Sequence, residues 1–443
     1  MLCWVEKCKC DILNLEWETN SRDTNIVEPV LCYLEWKYDL CVVRSNYENF
    51  LWKLIWHNPK MVIVSNYTGA PENTLLVRQA KSLGIKVISL ISEGDVKNGK
   101  TSSQFFWGWN KKKEKLVDAF LLWSERSRRI FLDFVPESKQ FPMTVCGATG
   151  FDRYKLLSFM DKRTFLYKYQ RTQTRIIGIA SWGFDQIESM KTHPFYSDEQ
   201  LQYLKRTRIR IRDAYCNMIC AHPDTLFVLK VHPGARNHIE ATEFEGLSKL
   251  PNVLLLSLEE SISDVINVSD YWIAFESTTT MEAWLLGKQT IFFNPTGGNF
   301  THSKIVEGSP EIVDEKGLEI TYKTFYQTGN IPGFDERAPQ RKKLIEDIIQ
   351  YADGQNHRRA AEKIWEVWNT PVRRRIKLRD SKKELIKELL HEIKFQIQRR
   401  TPLRNMPGTA SAIKAFSCYD SIERESETKK YMQALQHFHK EEH

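Results

Sequence analysis

The sequence predicts an α/β protein: two doubly wound parallel-sheet domains facing a cleft, with a C-terminal helical extension. Three observations carry this. Short apolar, β-branched runs alternate with amphipathic helical runs, the rhythm of βαβ units. That rhythm stops at a polar stretch near 168–174 and then restarts. At 443 residues the chain is too long for one core and suits two domains of roughly 150 to 200 residues. The expected division is 1–168, 169–370 and an extension at 371–443.

In the first half, candidate strands cover 11–17, 40–44, 61–65, 86–91, 119–123 and 143–146, with helical runs at 47–56, 72–83 and 125–134. In the second half strands are expected at 175–181, 226–231, 252–256, 271–275 and 290–294, with helices at 199–220, 261–268 and 279–286. Further helices are expected at 340–351 and 358–368. The polar tail after Thr401 is expected to be partly disordered up to a helical run at 429–439.

Composition narrows the class. A hydrophobic content of 42% with 12% aromatics is enough for two cores. No apolar run approaches the roughly 20 residues that span a bilayer, and Glu6 and Asp11 interrupt the stretch a signal peptide would need, so a cytoplasmic protein is expected. Nine scattered cysteines do not form a disulfide framework and are expected to be reduced and mostly buried. Cys3, Cys8 and Cys10 have no companion cluster at zinc-finger spacing, so no metal is expected.

The net charge of +8 is local: residues 371–400 hold eleven Lys or Arg and four Asp or Glu. One basic element is implied, not a general nucleic-acid surface, and no nucleic-acid partner is expected. Leu385, Leu389, Ile393 and Ile397 give that element an apolar stripe. It either lies on an anionic membrane, at the inner face of the cell membrane, or packs on its own domain.

Two runs read as turns where a sheet meets a ligand. A buried strand ends at His232-Pro233-Gly234, and another ends at Glu276-Ser277-Thr278-Thr279-Thr280, ahead of a helix that carries Glu282. Ser and Thr at a helix start cap it and leave amides for an anion, so the cluster suits a phosphate. Imidazole and hydroxyls face one cleft if their strands are neighbours. His232 is otherwise a satisfied loop residue; Glu282 either accepts from a ribose or serves the helix's first turn.

In the first half, Ser92-Glu93-Gly94 follows a strand, where Glu93 either meets an acceptor hydroxyl as a base or simply forms a turn with Gly94. The loop from Glu18 to Asp23 opens onto the same cleft. Its Arg22 either grips a carboxylate or phosphate as a fork or pairs with Glu18 or Asp23. The chain has no Gly-x-Gly-x-x-Gly, His-Glu-x-x-His, Gly-x-Ser-x-Gly or Asp-x-Asp.

The order strand-His232-Pro233, then Asp264 to Asp270, then Ser277-Thr278 with Glu282-Ala283, then Gly287 to Pro295, resembles the donor half of GT-B glycosyltransferases. More narrowly it resembles the bacterial surface-carbohydrate group: capsule and O-antigen Kdo transferases, sialyl- and polysialyltransferases, and CDP-glycerol glycerophosphotransferases. The resemblance implies two Rossmann-like domains. It gives Glu93 with Gly94 an acidic catalytic role, His232 with Pro233 action on the donor phosphate, and Ser277 with Thr278 its binding. The family's first acidic position is Ser92 here, a departure from the pattern. The expected function is metal-independent transfer of a Kdo- or sialic-acid-like sugar from a CMP-linked donor to a surface polysaccharide or lipid-linked acceptor, with no cofactor. The leaving charge is met by an imidazolium and helix amides. Transfer of a polyol phosphate from CDP-glycerol or CDP-ribitol, and a non-catalytic role in glycan assembly at the membrane, stay open.

Overall fold

The computed structural model describes residues 10–19, 22–96, 100–190, 197–232, 235, 238–297, 300, 302–371 and 378–440. All eleven expected strands are present within two residues of the predicted bounds. The first six are β1 (Ile12–Glu16), β2 (Val42–Asn46), β3 (Met61–Val64), β4 (Lys86–Leu90), β5 (Ala119–Leu122) and β6 (Met143–Val145). They form one sheet in the order β2-β1-β3-β4-β5-β6, every pair parallel.

The second series is β7 (Arg175–Ala180), β8 (Thr225–Lys230), β9 (Val253–Leu256), β10 (Tyr271–Ala274) and β11 (Gln289–Phe293), plus an unexpected two-residue β12 (Glu311–Ile312). Their order is β12-β11-β10-β7-β8-β9, again all parallel. Helices cover both faces of each sheet, so alternate residues of one strand enter different cores. Val62 and Val64 face one cluster, Met61 and Ile63 the other.

By packing, the chain divides into Met1–Leu157 with Glu346–His443, and Ser158–Ile345. The sequence boundaries at 168 and 370 therefore shift. The helix Asn356–Trp368 buries Ala360, Ala361 and Ile364 in the first unit's core beside Val30 and Leu31, and the extension after 371 belongs to that unit as well.

Several helices escaped the sequence reading, among them Arg22–Tyr38, Lys100–Trp107, Lys162–Lys168, Glu315–Thr328 and Pro407–Phe416. Arg22–Tyr38 is helical from Arg22 onward, although Glu18 to Asp23 read as one charged loop. Pro29 sits inside it, where the missing N–H forfeits the bond to the carbonyl four residues back. Burial of Ile26, Val27, Val30, Leu31 and Leu34 outweighs that loss.

The helix expected at 429–439 begins earlier, at Ser421 where partial disorder was expected, and runs to Lys440 with Tyr431 and Leu435 buried. Its Arg424 is 1% exposed and donates to Glu16 at 2.8 and 2.9 Å and to Glu28. Arg44 reaches Glu28 at 3.0 Å and Glu35 at 2.7 Å. Burial raises the Glu28 pKa, but the guanidiniums of Arg44 and Arg424 outweigh it and the carboxyl ends below its usual range.

Among the described residues no helix is long and apolar enough to cross a membrane. Of the seven described cysteines only Cys10, Cys32 and Cys146 are buried, fewer than expected; Cys3 and Cys8 lie outside the described residues.

Candidate functional site

In the second unit the chain runs from β7 through β8 to β9 at one edge, then crosses to β10 on the other side of β7. Open α/β sheets bind ligands outside the carboxyl ends of their strands at such a reversal. His232 follows β8 and Ser277 follows β10. Their strands are not neighbours, as the sequence reading required: β7 lies between them, which sets the two exits two strand spacings, about 10 Å, apart. The turn after β7, Ser181-Trp182-Gly183-Phe184-Asp185, fills the middle, and sequence reasoning gave it no role. Pro233 and Gly234 lie outside the described residues.

The imidazole of His232 is half-buried. Burial lowers its pKa below the ordinary histidine value, and the charge of Asp185 opposes that shift without cancelling it. The ring therefore favours its neutral form, a correction to the expected imidazolium. Asp185 Oδ1 is itself buried with no hydrogen-bond partner.

Beneath the same turn lies Glu243, 2% exposed, whose Oε1 accepts the Trp182 N–H at 2.9 Å. Its Oε2 has no hydrogen-bond partner, and burial, with Asp185 adding to it, pushes the carboxyl up to about 8. A group so placed is a neutral acid at pH 7. No pattern in the sequence marked it, because Glu243-Phe244-Glu245 reads as a surface stretch with one buried ring.

At the exit of β10, Glu276 adopts a left-handed backbone conformation with φ 48°. Its carboxylate is pinned by His302 Nδ1 at 2.5 Å and by the Ser303 N–H at 3.1 and 3.2 Å. Strain of this kind in a residue other than glycine persists only where its surroundings enforce it. Ser277 Oγ accepts the Thr279 N–H at 3.3 Å and meets Thr279 Oγ1 at 2.9 Å, while Trp272 Nε1 donates to that Thr279 hydroxyl at 3.0 Å. Thr278 is exposed and makes no capping bond. Glu282 is buried in the first turn of the helix Thr279–Leu285, where its charge complements the helix start.

In the first unit the structure does bring Arg22 and Glu93 together, Nη1 to Oε1 at 2.5 Å, on exposed side chains following β1 and β4, which flank β3. An exposed pair of this kind contributes little stability, about 0–1 kcal/mol. Glu18 is half-buried at the end of the β1 loop, where its carbonyl accepts from Thr24 Oγ1 at 3.4 Å. Gly94 leaves room for an indole: a Cβ there would stand 2.1 Å from the Trp123 ring. Neighbouring Asp95 pairs with Arg126 at 2.9 Å.

One pattern in this region was passed over. Gly94-Asp-Val-Lys-Asn-Gly99-Lys100-Thr101 fits the phosphate-loop spacing Gly-x-x-x-x-Gly-Lys-Thr, between strand β4 and the helix Lys100–Trp107. Residues 97–99 lie outside the described residues. Thr101 Oγ1 is buried with no hydrogen-bond partner. Neither flanking strand supplies an acid for a metal ion at its end: β3 runs into Ser65-Asn66 and β5 into Trp123-Ser124.

Two successive six-stranded parallel sheets, each covered by helices on both faces, define the GT-B class of fold, and solved structures agree. The wall teichoic acid polymerase TagF matches with a TM-score of 0.53 at 14% identity, over 82% of this chain and 90% of TagF. The S. aureus MnaA–UDP structure matches at 0.52 and 13% identity, over 83% and 99%. A putative UDP-N-acetylglucosamine 2-epimerase from Listeria monocytogenes gives the same four values. At these identities the likeness establishes the fold. No family model and no curated protein matches the sequence.

Proposed function

We propose that this chain is a metal-independent transferase of cell-surface glycan assembly that takes a Kdo- or sialic-acid-like sugar from a CMP-linked donor to a glycan or lipid-linked acceptor. The observation that carries it is the placement of His232, backed by Asp185, and of Ser277 on either side of the carboxyl end of β7. A donor phosphate there meets a neutral imidazole N–H and a hydroxyl. As charge develops on the leaving phosphate, its field favours protonation of a ring that burial had kept neutral. With no Asp-x-Asp pair in the chain, this imidazole takes the place of a divalent ion. One such donor is worth about 10²–10³ in rate. Glu93, oriented by Arg22, is proposed as the base toward the acceptor hydroxyl. The basic segment 371–400 would keep the enzyme at an anionic membrane, on its cytoplasmic side.

The fold this chain shares with TagF and with the UDP-bound MnaA supports nucleotide chemistry as the place to look. The test is a thermal-shift screen of CMP-, CDP- and UDP-linked donors, followed by His232→Ala, which should nearly abolish transfer while the fold survives. A fully active variant ends this reading. Stabilisation by CDP-glycerol or CDP-ribitol alone turns it into polyol-phosphate transfer, by a UDP-sugar alone into epimerisation, and by none of them into a non-catalytic assembly partner. The Gly94–Thr101 spacing and the orphaned Thr101 hydroxyl favour a second reading, a nucleoside-triphosphate loop, for which the screen includes Mg-ATP. Stabilisation by Mg-ATP that Lys100→Ala removes would establish it.

A further inference from the structure

The helix Leu378–Arg399 does not present its apolar residues as a single stripe. Leu385 and Leu389 pack on the first unit's core, and on the same side Glu392 accepts the Leu51 N–H at 2.9 Å and the Trp52 N–H at 3.3 Å. Gln396, one turn further on, donates to Glu48 at 2.8 Å. Glu392 thus supplies, from a neighbouring helix, the cap that Asn49 does not give to the helix Phe50–His57. That contact fixes the two helices side by side.

What the docking leaves outside is a second apolar row, Ile386, Leu390, Ile393 and Ile397, all exposed, with Leu390 at 60%. The docked partner helix adds Ile55 and two tryptophans, Trp52 at 53% exposure and Trp56, their rings 6.5 Å apart. Singly exposed apolar residues are ordinary, but seven on two docked helices are not. Among the described residues of the longer helix, every fully exposed charged side chain is a cation: Lys382, Lys383, Lys387, Lys394 and Arg399. Its acids Glu384, Glu388 and Glu392 are turned inward or half-buried.

We infer that this two-helix face on the first unit is a docking surface for an anionic lipid bilayer. It deepens the membrane contact proposed above and rests on that reading, but not on the identity of the donor. Apolar side chains enter the interface between headgroups and acyl chains, indoles sit at headgroup level, and the lysines meet lipid charge. A protein partner fits less well, since an unbroken cationic flank calls for an acidic surface of matching length. The stripe predicted from sequence, Leu385, Leu389, Ile393 and Ile397, is divided: Leu385 and Leu389 are spent on the core, Ile393 and Ile397 stay exposed, and the tryptophans come from a segment over 300 residues earlier in the chain.

The test is co-sedimentation of the full chain with phosphatidylcholine vesicles, with and without phosphatidylglycerol, for the wild type, Trp52→Ser/Trp56→Ser, Leu390→Ser/Ile393→Ser and Lys382→Glu/Lys383→Glu/Lys387→Glu. Binding should require phosphatidylglycerol, weaken with salt, and fall at least tenfold in each variant. Nucleotide-induced thermal shifts measured on the same variants should not move. Vesicle binding that survives the tryptophan and leucine variants overturns the inference. So does a concentration-dependent dimer that Leu390→Ser/Ile393→Ser abolishes in a protein that ignores vesicles, which would make a second copy the partner. Loss of the nucleotide response with vesicle binding intact removes only the donor reading.

Discussion

Glu276 Oε1 lies 2.5 Å from Nδ1 of His302, and this bond, with two more from the Ser303 amide, holds Glu276 at φ 48° where β10 ends. The carboxylate and the strained backbone are coupled: the first makes the second tolerable, and the second sets where Ser277 emerges. Glu276→Ala removes the bonds and keeps the strain, whereas Glu276→Gly removes both. The alanine variant should lose about 2–3 kcal/mol of stability, and the glycine variant about 1 kcal/mol less, in urea denaturation. Equal losses would mean that the left-handed turn stores nothing.

His232 and Asp185 give a pH signature. The folded-state pKa of the ring is depressed by burial, so its contribution to stability is fully present above the unfolded value near 6.5 and is lost as pH falls through the folded value. Asp185 pulls the other way. Asp185→Asn should therefore lower the His232 pKa further, read from the imidazole proton shifts in an NMR titration. An unchanged or raised value would show that the carboxylate does not face the ring.

The strands were legible because parallel strands buried on both faces are continuous apolar runs, as in 225–231 and 271–275, and little else reads that way. His232 and Ser277 were legible for the same reason, as the polar residues at which those runs stop. The partners that tune them were not. Asp185 and Glu243 come together from the loops that follow the adjacent strands β7 and β8, and no short-range spacing in the sequence encodes that contact. Arg22–Tyr38 was hidden by Pro29 and by the charges at its start. Arg424 looked like one more charge in a polar tail, since its partners Glu16 and Glu28 lie about 400 residues away.

Glu243 makes a prediction of opposite sign to His232. Its folded pKa is raised to about 8 against 4.5 for the free side chain. In the folded state the proton is retained where the unfolded chain releases it, so stability falls as pH rises from about 4.5 to 8, by up to about 1.4 kcal/mol per pH unit. Glu243→Gln keeps an acceptor for the Trp182 N–H and cannot ionise. The variant should lose this slope and exceed the wild type in stability at pH 8, measured by denaturant unfolding at a series of pH values. Parallel pH profiles for the two proteins would mean that the carboxyl is ionised in the fold.

The clamp around Arg424 joins the last helix to the first strand and the first helix of its unit. Its guanidinium reaches Glu16 through two nitrogens and Glu28 through one, while Arg44 covers the remaining face of Glu28. Removing it takes the guanidinium from buried Glu16 and leaves Glu28 to Arg44 alone, and breaking a buried pair from one side costs about 3–5 kcal/mol. Arg424→Ala should therefore destabilise the first unit by that amount. Arg424→Lys should recover only part of the loss, because an ammonium cannot serve both acids as a fork. A triple replacement, Arg424→Met with Glu16→Gln and Glu28→Gln, leaves Arg44 with Glu35 alone and separates charge from packing: restored stability in guanidinium denaturation assigns the single-variant loss to stranded charge, and a loss equal to that of Arg424→Ala assigns it to the contacts of the helix itself.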